Sequence, residues 1–128
     1  MASYSTLLNF AAVGAGGMIG AMLRYGIQHL GLFEQSYCNT LTVNLTGSFL
    51  MGVVWVLLSR GGAPAWCNLL FMTGVLGGYT TYSAFSLDFV NLLRQSRVVE
   101  AFVYWGITSI CAPALCALGY FITDKILK

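Results

Sequence analysis

Gly77-Gly78-Tyr79-Thr80-Thr81-Tyr82-Ser83-Ala84-Phe85-Ser86 interrupts the third apolar stretch of the chain, and apolar sequence resumes beyond it. Two adjacent glycines cost a helix about 1 kcal/mol each relative to alanine. Unpaired backbone groups in hydrocarbon cost several times that. Hydroxyl and aromatic residues following a glycine pair therefore make poor lipid-facing helix. A broken helix at membrane depth is tolerated where it is buried in protein or lines a polar cavity. The segment is thus the leading candidate for the working part of the molecule, and its expected work is to bind or move an ion.

Working outward, the composition is that of an integral membrane protein. Of 128 residues, 58% are hydrophobic and 8% charged, against about 25% charged in soluble domains. The length suits one domain over residues 1–128. Met1 to Leu8 carries no Lys or Arg, unlike the basic start of a cleavable signal peptide, so the first apolar segment is expected to be kept as a span. Cys38, Cys67, Cys111 and Cys116 form no CxxC pair, and His29 is the sole histidine, which argues against a metal cluster or a disulfide framework. No nucleophile–base pair suggests an enzyme. No basic run suggests a nucleic-acid partner.

About 20 apolar residues cross a bilayer. That ruler places spans near Leu7–His29, Thr40–Ser59, Trp66–Leu93 and Val98–Ile122, an all-α membrane protein of four transmembrane helices. The third is broken near its middle into halves at Cys67–Leu76 and Ser83–Leu93. Short turns at Arg60-Gly61-Gly62-Ala63-Pro64 and Arg94-Gln95-Ser96-Arg97 make neighbouring helices antiparallel. The Lys and Arg residues then divide equally. Arg60, Lys125 and Lys128 lie on the N-terminal side; Arg24, Arg94 and Arg97 lie opposite. Orientation follows this difference, and here it vanishes. A chain that inserts both ways, and pairs as an antiparallel homodimer, is the simplest reading; if Arg24 sits inside the span, the balance shifts. Gly16-x3-Gly20 and Ser48-x3-Gly52 have the spacing that lets helices approach closely.

Several polar residues stand where lipid would not accept them. Asn44, early in span two, either bonds to a neighbouring helix or donates its NH2 to an anion entering from a vestibule that Thr40 and Thr42 extend. Arg24 either snorkels to the interface or raises the local anion concentration at a pore mouth. Asp88 is an acidic residue inside the third span, one turn past Phe85. On span four, Tyr104 and Thr108 are four residues apart and share a face, with Ser109 and Pro113 beyond them. Proline withholds a donor from the Ser109 carbonyl. These hydroxyls either line a polar stripe or bond back to their own helix. Tyr82 and Phe85 face roughly the same way, and an aromatic ring offers an anion its positive edge. The carbonyls of Gly77 and Thr80, if two copies met at their breaks, would enclose one cation such as Na+.

In order along the chain, Gly20-Ala21-Met22-Leu23-Arg24, then Thr42-Val43-Asn44-Leu45-Thr46-Gly47, then Thr73-Gly74 through Leu76-Gly77-Gly78 to Thr80-Thr81, Ser83 and Phe85-Ser86 resemble the Fluc (CrcB) family of fluoride channels. The likeness covers essentially the whole chain. It implies a bacterial inner-membrane fluoride exporter, a dual-topology antiparallel homodimer in lipid with two pores and a structural Na+ at the dimer interface. It further implies that Gly77 and Thr80 give carbonyls to Na+, that Asn44 is a vestibule donor, and that Phe85 is a pore phenylalanine. Tyr104, Thr108 and Ser109 would lie along a polar track, with Arg24 beside the entrance. The chain departs from the pattern at Tyr82, where the family has a second pore phenylalanine, and at Asp88, where it often has Glu.

Two rival readings differ in class. A small multidrug-type exporter shares the size and dual topology but resembles a design with a glutamate in span one, and Met1 to Ile27 has no acidic residue. A non-conducting variant, disabled by the Tyr82 hydroxyl, would keep the fold without the flux.

Overall fold

The computed structural model describes residues 4–128, so Met1 to Ser3 of the expected leader-free N-terminus lie outside the described residues. Every regular element among the described residues is helical: α1 (Tyr4–Leu30), α2 (Ser36–Arg60), α3 (Ala65–Asn68), a π-helical segment (Leu69–Leu76), α4 (Gly77–Tyr79), α5 (Tyr82–Arg94) and α6 (Val98–Ile126). Three of them, α1, α2 and α6, are each long and apolar enough to cross a membrane. Their ends run a few residues past the expected limits, because a helix continues into the polar interface after its hydropathy has fallen. Large apolar side chains such as Phe10, Met18, Ile110 and Phe121 are exposed, an arrangement costly in water and natural in lipid.

The broken element differs from its expected form in an instructive way. Gly77 and Gly78 remain helical, and the chain leaves the helix only at Thr80 (φ −77°, ψ 155°) and Thr81 (φ −151°, ψ 114°). Gly78 serves contact rather than unwinding. A Cβ on Gly78 would stand 2.6 Å from the Gly17 carbonyl oxygen of α1, and one on Gly74 would stand 2.8 Å from the Gly16 Cα. Gly16 and Gly20 answer from α1: a Cβ on Gly16 would come within 2.9 Å of the Gly74 Cα, and one on Gly20 within 2.8 Å of the Tyr79 amide nitrogen. The Gly16-x3-Gly20 spacing thus docks α1, backbone against backbone, on the segment leading to the break.

The preceding π-helical stretch is eight residues long, well beyond the single-turn bulges in which this geometry usually appears, often at functional sites. Elsewhere α2 packs along α6. Gly52 meets the Cys116–Tyr120 backbone and Gly119 meets Phe49, while Arg60 pairs with Asp124 where the two helices end together. Between α5 and α6, Phe85, Leu92, Ala101 and Tyr104 form the buried core.

Candidate functional site

Asn44 and the break hold each other. Thr81 donates its backbone N–H to Asn44 Oδ1 (2.7 Å), and Asn44 Nδ2 donates to the Thr81 carbonyl (3.0 Å). The pairing determines which end of the amide is oxygen, because only that orientation satisfies both bonds. Both residues are buried. Asn44 therefore realises the interhelical bond that its sequence position allowed, while one N–H of its NH2 group remains beyond this pair. Thr81 in turn caps α5, its hydroxyl oxygen accepting from the Ala84 N–H at 3.2 Å. A Thr immediately ahead of a resuming helix is an N-cap signal. Thr81's part in the site was legible in the sequence on that ground, although its partner in α2 was not.

A cavity of about 310 Å³ opens at this junction. Its walls include Asn44 and Ser48 of α2, Thr80, Thr81, Tyr82 and Phe85 around the break, and Thr108, Ser109 and Pro113 of α6. All are uncharged. Amide, hydroxyl and aromatic edges can take up part of an anion's hydration shell without a fixed ion pair to trap it. Pro113 removes the N–H that would have reached the Ser109 carbonyl, so this wall of α6 carries a locally unpaired ladder.

The predicted residues divide around this cavity. Asn44, Tyr82, Phe85, Thr108 and Ser109 line it together with Thr80. Within that group the hydroxyl of Thr108 turns back to the Tyr104 carbonyl (2.9 Å), so its proton is engaged within its own helix. Tyr82 is 77% exposed whereas Phe85 is 3% exposed; one ring reaches outward and the other is core. Tyr104 and Thr40 stand one turn further along and do not line the cavity. Both are almost fully buried. The Tyr104 hydroxyl lies 3.5 Å from Asp88 Oδ2. Thr42 bonds back to the Cys38 carbonyl.

Arg24 does not line the cavity; its Nε donates to the Gly78 carbonyl at 3.2 Å. A guanidinium at the C-terminal end of a helical half complements its carbonyls and its dipole. The break is thus held from two sides, by Arg24 on Gly78 and by Asn44 on Thr81. Gly77, by contrast, is exposed, with only the Met72 carbonyl oxygen (3.5 Å) near where a Cβ would be.

Sequence reasoning also missed a row of rings. Tyr82, Phe85, Tyr104 and Tyr37 follow one another with centroid separations of 5.3, 5.1 and 5.2 Å, each pair tilted by 58–59°. Residues from α5, α6 and α2 interleave in it, so no single helical periodicity announces it.

Comparison with known proteins agrees with this architecture. The family model described as CrcB-like protein, Camphor Resistance (CrcB), matches residues 11–120. A protein of Hyphomonas neptunium named fluoride-specific ion channel FluC is 36% identical over 124 residues, covering 91% of this chain and 96% of its own. One of the same name from Bordetella bronchiseptica is 40% identical over 123 residues, covering 94% and 95%. Fluoride-specific ion channel FluC 1 of Listeria innocua is 38% identical over 119 residues, covering 88% and 95%. With the family model matching most of its length and near-full-length relatives at this identity, the chain belongs to the CrcB family.

Proposed function

We propose that this protein is a fluoride-selective channel through which fluoride leaves the bacterial cytoplasm passively, down its own gradient. The observation that carries the reading is the near-full-length identity to proteins named fluoride-specific ion channels, and the chain is accordingly a channel and not an enzyme. The uncharged cavity at the break suits a small anion held by donors and ring edges. Fluoride would pass among the free N–H of Asn44, the edges of Tyr82 and Phe85, and Ser109, with no coupled energy source.

The working unit in this reading is an antiparallel, dual-topology homodimer in the lipid of the inner membrane, its four spans including the broken third. The balanced Lys and Arg count supports insertion both ways, and the exposure of Tyr82 and Gly77 on a single chain leaves those groups available to a second copy. Gly77 and Thr80 would hold Na+ through their carbonyls. Neutral backbone oxygens are the donors that hard cations take, the extended ψ of Thr80 carries its carbonyl out of the helical ladder, and Gly77 is uncrowded. Two carbonyls per chain make half a coordination shell, so a complete site needs both copies. When bound, the ion would add positive charge at the centre of the dimer.

Fluoride efflux from liposomes holding the purified protein, read with an ion-selective electrode beside a parallel chloride trial, tests the proposal. Fast fluoride release without chloride release is the expected result. No fluoride release from folded parent, restored by Tyr82→Phe, would identify a natural blocked variant; no release from either would reject the channel reading.

A further inference from the structure

Arg24, one candidate for attracting anions, donates its Nε to the Gly78 carbonyl. Another cation stands at the end of the aromatic row. The row leaves the cavity at Phe85, passes through Tyr104 and ends at Tyr37; the guanidinium carbon of Arg97 lies over the Tyr37 ring, 5.7 Å from its centroid. Arg97 immediately precedes α6, seven residues before Tyr104, which is about 10 Å along a helix axis. Hydrogen bonds set its position, Nε donating to Glu100 Oε1 (2.9 Å) and Nη1 to Gln35 Oε1 (3.0 Å), and the Tyr37 hydroxyl holds Glu100 by donating to its Oε2 (3.1 Å). Hydrogen bonding to Glu100 raises the pKa of Arg97 above its ordinary value, so it is cationic throughout the usable pH range.

We propose that Arg97 gathers anions at this end of the pathway, with Glu100 setting how much of its charge an approaching ion meets. The inference rests on the fluoride-channel reading. An ion reaching Tyr104 from this side approaches Asp88, whose carboxylate is beside the Tyr104 hydroxyl, and Glu100. Within this cluster Arg97 is the cation that balances one of the two carboxylates. With Arg97 paired to Glu100 the far field of the pair is that of a dipole, which leaves Asp88 as the net charge of the mouth. Removing the Glu100 charge frees the Arg97 charge to offset Asp88 and leaves a neutral mouth; removing the Arg97 charge leaves two carboxylates. Because Tyr37 holds Glu100 in place through its hydroxyl, it is a positioning residue here.

The test is fluoride flux at low fluoride concentration through the full-length protein in phosphatidylcholine vesicles, which carry no net surface charge. Parent, Arg97→Gln, Glu100→Gln and Arg97→Lys are compared at about 0.01 M and about 1 M impermeant salt, where the screening length falls from about 30 Å to about 3 Å. One unit charge about 10 Å away in a water-like dielectric changes local anion concentration about twofold. At low salt Glu100→Gln should therefore conduct about twofold faster than parent and Arg97→Gln about twofold slower, with Arg97→Lys near parent. High salt should erase the differences. A gain in Glu100→Gln cannot arise from misfolding, which makes it the decisive arm. Flux in the parent with no change in Glu100→Gln and Arg97→Gln, or with changes that persist at high salt, would overturn the proposal while leaving the channel reading intact. A parent that passes no fluoride would overturn both.

Discussion

Replacing Asn44 by alanine removes two hydrogen bonds at once and should loosen the break before it affects anything else. The amide satisfies both the N–H and the carbonyl of Thr81, at 2.7 and 3.0 Å, and both residues are only 8% exposed. Interhelical side-chain bonds within membranes average about 0.6 kcal/mol each, which makes about 1 kcal/mol a lower bound for the pair. Buried backbone groups left without partners cost about 1–3 kcal/mol each, so the loss for the two groups is about 2–6 kcal/mol where water cannot replace the amide. Asn44→Asp is the informative companion: its carboxylate still accepts from the Thr81 N–H but, when ionised, has nothing to donate to the Thr81 carbonyl. Thermal unfolding in detergent and hydrogen exchange at the Thr81 amide are the assays. Asn44→Ala should unfold at lower temperature and exchange faster at Thr81, and Asn44→Asp should protect that amide better than alanine does. Fluoride flux should fall in both, because the break no longer keeps Thr81, Tyr82 and Phe85 in register. Parent-like exchange at Thr81 together with parent-like unfolding in Asn44→Ala would refute the clamp and leave Asn44 as an ion donor alone.

Other substitutions probe the remaining supports. Gly16→Ala forces a methyl into the backbone of the π-helical segment and should destabilise by about 1–3 kcal/mol or more; Gly14→Ala, which has nothing within 4 Å to meet, should be neutral or gain up to about 1 kcal/mol of helix propensity, as thermal unfolding of the two will show. Arg24→Gln removes the charge from the bond to Gly78 and should lose about 1–2 kcal/mol. Combining it with Asn44→Ala should give a non-additive loss in a double-mutant cycle if both side chains hold one break. Tyr82→Phe keeps an exposed ring, so stability should change by less than about 0.5 kcal/mol; flux measurements should show faster fluoride release if the hydroxyl retards the ion.

By itself the amino-acid sequence determined the environment, the class and the family. Hydropathy is summed residue by residue, so 58% hydrophobic residues and runs of bilayer length were enough to place the chain in a membrane as helices. The Gly-Gly-Tyr-Thr-Thr segment located the interruption because its residues are costly in lipid whatever surrounds them. Tertiary structure decided how the interruption is made. Gly77 and Gly78 looked like the breakers, yet both stay helical, with α1 too close to Gly78 for any Cβ, and Thr80-Thr81 leaves the helix instead. The partners of Asn44 and Arg24 lie 37 and 54 residues away, and the ring row threads three helices. Local pattern carries no information on such pairings: a buried amide or guanidinium must find a partner, but which one it finds depends on how the helices dock.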